Sequence, residues 1–160
     1  MATFPQLLEE DMRELDCVMQ ELLLKSEAAA AMIIDKGGFL INQCGDYRDF
    51  DSVTLSALSA ASFAATQGIA TLVSEANFSS VYQQGETFSL LVLNVDEYCL
   101  LTVVFKAHIS AGAVKYYAGN TIRQIAKQLH QAHLRNPKGG LDLSELDLAD
   151  TAPLFRKRLA

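Results

Sequence analysis

The sequence predicts a mixed α/β (α+β) domain: a five-stranded, mostly antiparallel sheet in the order α-β-β-α-β-β-β-α, with the terminal helices on one face and the central helix on the other. Three observations carry this. Phe4–Lys25 and Ser110–Ala132 place apolar residues at three- and four-residue spacing on one side only, as surface helices do. Between them, short apolar runs of strand length are separated by turn compositions. In the middle, Asp51–Glu75 (DSVTLSALSAASFAATQGIATLVSE) has no proline, lysine or arginine and is apolar or small almost all the way round.

In chain order, the first helix has Pro5 in its first turn, acids Glu9, Glu10 and Asp11 after it, and a face of Leu8, Met12, Leu15, Val18/Met19 and Leu22. Ala30–Asp35 and the partly alternating Phe39–Cys44 flank the tight-turn sequence Asp35-Lys36-Gly37-Gly38 and form a hairpin. Asp51 or Ser52 caps the central helix, and Asn77 closes it in a left-handed conformation. Phe78–Gln84 is a polar strand suited to a sheet edge, with backbone groups left for a second copy of the chain. Thr87–Val95 and Tyr98–Lys106, apolar on both faces, pair through a turn at Asp96-Glu97. The last helix turns Ala113, Tyr116/Tyr117, Ile122, Ile125/Ala126 and Leu129 inward, across Gly119. Asn136-Pro137-Lys138-Gly139-Gly140 is a linker by composition, so residues 1–136 form the domain and 137–160 a linker and an acidic, leucine-rich tail.

At 160 residues, half of them apolar and a fifth charged, the chain is one domain with enough material for a core. A net charge of −6, with no basic cluster interleaved with aromatics, argues against nucleic acid as a partner. The longest uncharged apolar run, Ala28–Ile34, is too short to span a bilayer, and the acidic N-terminus is unlike a secretion signal. No membrane insertion and a cytoplasmic location are expected. Cys17, Cys44 and Cys99, odd in number and widely spaced, read as buried free thiols in a reducing compartment.

Two stripes run along the central helix. Leu55, Leu58, Ser62, Ala65, Ile69 and Leu72 form the one expected to pack on the sheet. Ala57, Ala60, Ala64, Gly68 and Thr71 form a second, roughly 130° away by helical geometry, with side chains small enough for another backbone to come close. A fully buried central helix is the competing reading. The one-sided character of the other helices favours a docking surface instead.

Few residues form a pattern that carries chemistry. His130 and His133 lack a third or fourth ligand partner. His108 with Cys99 or Cys44 is a conceivable nucleophile pair, although strand cysteines in apolar runs are usually core. Asp46, Asp49 and Asp51 lack the calcium-loop pattern, and Gly37-Gly38 is not followed by a phosphate-binding helix start. No catalytic residue, cofactor or metal is expected.

The run Met32-Ile33-Ile34-Asp35-Lys36-Gly37-Gly38-Phe39-Leu40-Ile41 resembles the opening hairpin of the Roadblock (dynein light chain) family. The likeness continues through the alanine-rich helix Leu55–Val73, Gly85-Glu86 and the paired strands Phe88–Phe105, covers roughly residues 5–134, and lies nearest the bacterial MglB branch. The resemblance implies a homodimer through the central helix and edge strand 78–84, and a Ras-like small GTPase (MglA-type) as partner. It implies a partner surface at Ala64 and Gly68, which extends by helical spacing to Ala57, Ala60, Phe63, Gln67 and Thr71. Phe63, Thr66 and Gln67 are departures, and with them the helix's partner-facing chemistry is expected to differ from that of characterised relatives. The functional expectation is a GTPase regulator that activates hydrolysis. Because residues 51–75 contain no arginine, it would do so by positioning the GTPase's own residues rather than by an arginine finger, with Arg48 and Arg123 as the rivals. A scaffold without effect on rate comes second. A small-molecule sensor comes third, because the dense filling of strands 88–105 leaves little room for a cavity, and an enzyme comes last.

Overall fold

The computed structural model describes residues 4–135; the expected linker and tail, 137–160, lie outside the described residues. The elements follow as α1 (Glu9–Ser26), β1 (Ala30–Asp35), β2 (Leu40–Gly45), α2 (Ser52–Leu72), β3 (Ser80–Gln83), β4 (Phe88–Asn94), β5 (Cys99–Lys106) and α3 (Ala111–Arg135). The sheet order is β2-β1-β5-β4-β3, and all four pairings are antiparallel.

The central strands β1 and β5 are buried on both sides, and alternation assigns each residue to a layer. Ala31, Ile33, Leu91, Leu93, Leu101, Val103 and Phe105 face α1 and α3, where Leu15, Met19, Leu22, Val114, Ile125 and Leu129 meet them. Ala30, Met32, Ile34, Val92, Leu100 and Val104 face α2, which answers with little more than Ala60 and Phe63. Each fully buried Leu, Ile or Phe stabilises the fold by about 1.5–3 kcal/mol, so the α1/α3 layer carries most of the hydrophobic contribution.

Several boundaries depart from expectation. Helix α1 starts at Glu9 rather than Phe4, with Pro5 ahead of it: Leu8 is extended, and the Asp11 carboxylate accepts its N–H at 2.7 Å. Helix α2 is capped by Asp51, whose carboxylate accepts from the N–H groups of Val53 (3.1 Å) and Thr54 (3.2 Å). It closes through Ser74 (φ 60°), not Asn77. The Glu75 N–H donates to Ala70 O at 2.9 Å and the Ser74 N–H to Thr71 O at 3.3 Å, the pairing of a left-handed helix stop. The hairpin β1–β2 carries an extra residue, Ile41, because Ile33 pairs with Asn42 and Ile34 with Leu40. That bulge is why the second strand alternates only in part.

Helix α3 is rotated from the expected face. Its buried stripe is Val114, Ala118, Thr121, Ile125, Leu129 and Ala132, while Ala113 is exposed and Tyr116 lies at the surface against Tyr117. Small Ala118 and Thr121 face inward, and both tyrosines lie at the surface. Asp11 ties α3 to α1. It is fully buried and accepts hydrogen bonds from Gln128 Nε2 at 2.7 Å and from Arg135. Burial pushes its pKa up, but the hydrogen bonds from Leu8, Gln128 and Arg135 outweigh burial and hold it below the ordinary value.

Candidate functional site

Helix α2 exposes four large apolar side chains, Val53, Leu58, Ile69 and Leu72. Its sheet-facing residues are Ser52, Ser56, Ser59, Ala60, Phe63 and Ala70. The serines reach the interior because a helical hydroxyl can return to its own backbone: Ser56 Oγ donates to Ser52 O at 2.7 Å. The stripe expected on the sheet is therefore displaced. Leu58 is 62% exposed, Ile69 53% and Leu72 84%, and Ala65 is exposed; only Leu55 and Ser62 at its edge are half-covered.

The second stripe divides. Ala57, Ala64, Gly68 and Thr71 lie at the surface. Ala60 and Phe63 are buried against β1 and β5 and drop out of any docking face, since Phe63 is the one large side chain of α2 that is buried against the sheet, with half-covered Leu55 beside it. Gln67 is half-buried, and its Nε2 donates to Phe78 O at 3.0 Å, tying the helix to the approach to β3. A side chain at Gly68 would meet nothing within 4 Å, so open space lies beside it. By contrast, Gly38 (φ 97°) in the β1–β2 turn brings its backbone to α2: a Cβ there would sit 3.0 Å from Ala57 Cα.

Between the surviving residues of both stripes lies a continuous exposed face of Val53, Ala57, Leu58, Ala61, Ala64, Ala65, Gly68, Ile69, Leu72 and Val73, with no charged residue from Ser52 to Ser74. Sequence reasoning placed Leu58, Ala65, Ile69 and Leu72 on the sheet because apolarity was read as burial, and Val53 and Ala61 fell in neither stripe. An apolar surface of this continuity marks an interaction site. By length and composition α2 could also cross a membrane, which unbroken apolar runs did not reveal. Here it lies on a sheet, held by Phe63 and Ala60.

Beside α2 runs β3, paired only with β4, so its outer backbone groups face away from the sheet. At the N-terminal end of α2 is an open groove of 470 Å³ over an apolar floor of Phe50, Leu55, Phe88, Leu90 and Val104, with Lys106 beside it. The dense filling expected against a sensor thus holds for the α1/α3 layer but not for the α2 layer.

The other candidates have structural duties. Asp46 binds Arg48 through two contacts of 2.9 Å, and this hydrogen bonding lowers its pKa to about 2. Asp51 is the helix cap. Cys17, expected to be buried, is exposed on α1, whereas burial pushes the Cys44 thiol up to about 12 and raises Cys99 as well, so these two stay protonated at neutral pH and neither is an activated nucleophile. Cys99 and His108 lie at opposite ends of β5 and its following turn, roughly 25 Å apart at strand rise. His133 packs against Tyr98, with ring centroids 5.7 Å apart. Among the described residues, no group of three or more His, Cys, Asp or Glu could hold a metal ion.

An antiparallel five-stranded sheet with one uncharged helix on one face and two helices on the other, in this element order, defines the Roadblock type of α+β fold. The Roadblock/LC7 domain model matches residues 14–105, and the chain belongs to that family, resembling its MglB branch. Myxococcus xanthus MglB is 26% identical with a TM-score of 0.73, over 79% of this chain and 96% of that one. The gliding protein MglB of Thermus thermophilus is 28% identical with a TM-score of 0.73, over 82% and 99%. An MglB structure with a tetrameric arrangement is 28% identical with a TM-score of 0.76, also over 82% and 99%. No curated protein matches the chain.

Proposed function

We propose that the chain is a homodimeric cytoplasmic regulator of a Ras-like small GTPase, pairing through α2 and the β3 edge and activating GTP hydrolysis. The observation that carries this reading is the exposed, charge-free α2 face beside an unpaired strand edge. Two copies joined along β3 would extend the sheet and set two α2 helices side by side, and the combined surface is broad enough for a globular partner. The likeness to MglB proteins, one in a tetrameric arrangement, supports an assembly of this kind.

The mechanism is restricted by what α2 lacks. Without arginine between Ser52 and Leu72 it supplies no cationic finger. Arg123 lies on α3, on the other face of the sheet, and Arg48 is engaged by Asp46. Acceleration then comes from holding the GTPase's switch segments and catalytic side chains in their reactive arrangement. The same lack of a catalytic group favours the alternative, a scaffold that binds the GTPase or another Roadblock subunit without changing its rate.

Single-turnover hydrolysis by a Ras-like GTPase from the same genome, with and without this protein in excess, tests the proposal. Acceleration that is lost in Ala64→Arg and Gly68→Arg, with dimer size checked by sedimentation, is the expected result. Stable co-elution without acceleration would establish the scaffold reading. Acceleration abolished by Arg48→Ala with binding retained would replace positioning by an arginine mechanism. Retained binding by both α2 variants would remove the α2 face from the partner surface.

A further inference from the structure

The two helices of the other layer carry opposite charge. Exposed acids Glu9, Glu10, Glu14 and Glu21 lie on α1. The chain then has no acid at all from Tyr98 to Leu141, while Lys115, Arg123, Lys127 and Arg135 fall on α3. Arg123 and Lys127 are exposed, and among the described residues neither enters an ion pair. They flank a furrow between the helices. One section of 480 Å³ runs past Leu22, Tyr116, Tyr117, Asn120 and Arg123, and another of 270 Å³ past Leu15, Val18, Gln124 and Lys127. The first section thus offers the exposed rings of Tyr116 and Tyr117, the second is lined by Gln124, Gln128 and Gln131, and the α3 wall carries unpaired cations.

We propose that residues 141–150 of this same chain, LDLSELDLAD, dock along the α3 wall of that furrow. The segment matches the furrow first in charge, with Asp142, Glu145, Asp147 and Asp150 for Arg123 and Lys127, and its leucines can lie against the exposed rings of Tyr116 and Tyr117. It also lies close by in sequence. Residues 136–140 connect it to Arg135, and at about 3.3 Å per residue they reach roughly 17 Å. Lys127, eight residues back along α3, is only about 12 Å away at helical rise. Gly139-Gly140 supplies the backbone freedom to reverse direction. The acids keep to the α3 side because Glu14 and Glu21 on α1 would repel them. Docking here leaves the α2 face free, so it shields the basic face of α3 without competing for the proposed GTPase surface.

The test uses the full chain with a nitroxide on Cys17, the exposed cysteine; Cys44 and Cys99 are buried. Paramagnetic broadening of the amides of residues 141–150 is read by NMR. About half of their intensity should be lost at 0.01 M salt, where charges act over about 30 Å, and recovered at 1 M, where the range is about 3 Å. The broadening should vanish in Arg123→Glu/Lys127→Glu and return when Asp142→Lys/Glu145→Lys/Asp147→Lys is added. Unbroadened amides at low salt would overturn the proposal, as would broadening indifferent to both salt and charge reversal. Broadening of an unlabelled ¹⁵N chain by spin-labelled chains would assign the furrow to a second copy and equally overturn it. The salt comparison stands on the unsubstituted chain, so it decides the matter even if a variant fails to fold.

Discussion

The two faces of one sheet are finished in opposite ways. Toward α1 and α3 the strands present leucine, isoleucine, valine and phenylalanine, and the helices answer with leucine, methionine and isoleucine until the layer is closed. Toward α2 they present side chains of similar size and meet serines, alanines, one phenylalanine and the half-covered Leu55. The large apolar residues of α2 are turned outward. A helix that spends its leucines on solvent and its serines on the core is shaped for something that lies on top of it.

The two layers should respond most differently to substitution in the core. Phe105 is fully buried in the α1/α3 layer, its ring stacked with Tyr82 at a centroid distance of 6.2 Å. Phe105→Ala should cost about 3–5 kcal/mol in chemical denaturation. Leu58→Gln, Ile69→Gln and Leu72→Gln, measured where the chain is dilute enough to be monomeric, should each stay within about 0.5 kcal/mol. As concentration rises their cost should grow, because an assembly that covers α2 adds to apparent stability by mass action. If the glutamine variants were as damaging as Phe105→Ala in the monomer, the outer face of α2 would be core after all.

Asp11 sharpens the comparison, since the closed layer holds a buried charge network and the open one holds none of comparable depth. Asp11→Asn should cost about 2 kcal/mol at neutral pH, the scale of hydrogen bonds to a charged group. The pH dependence follows from the lowered pKa. A carboxylate lowered on folding contributes fully above its unfolded value near 3.8, and the contribution fades as pH falls through the folded value. Denaturation from pH 7 downward should therefore show an acid-induced loss below about pH 4 that is reduced in Asp11→Asn. Equal acid sensitivity in the variant would move the charge dependence elsewhere.

How much of this was legible in the sequence depended on what each rule measures. Element order, the antiparallel sheet and the division of helices between faces followed from periodicity and turn chemistry, which act locally. Helix α2 was legible in extent but not in orientation. Its apolar moment points outward, and the residues that face the sheet are serines, which no hydrophobicity pattern selects. Helix α3 shifted for a related reason: Ala118 and Thr121 allow closer packing than Tyr116, yet rank below it in apolarity. At Ala64 and Gly68 the small-residue pattern named surface positions, whereas Ala60 and Phe63 belong to the interior. Asp51 was found as a cap because its role is local. Asp11, whose partners Gln128 and Arg135 come from the far end of the chain, carried no local signal.

Gly68 gives the smallest and most discriminating effect. Its position has free space for a methyl group, and it sits inside a helix with ordinary backbone geometry. For the isolated chain, Gly68→Ala should therefore stabilise by about 0.5–1 kcal/mol, the usual gain from removing a mid-helix glycine. A glycine that weakens its helix and touches nothing of its own chain is accounted for if another backbone must come close to it. Gly68→Ala should then raise the denaturation midpoint while weakening self-association or GTPase binding, and sedimentation equilibrium and pull-down titration would read those separately. Higher stability with unchanged association would mean that Gly68 is incidental, and the docking face would shift toward Leu58, Ala65 and Ile69. Lower stability would mean that α2 is already covered at that point in the isolated chain, and the contrast between the two layers would fail there.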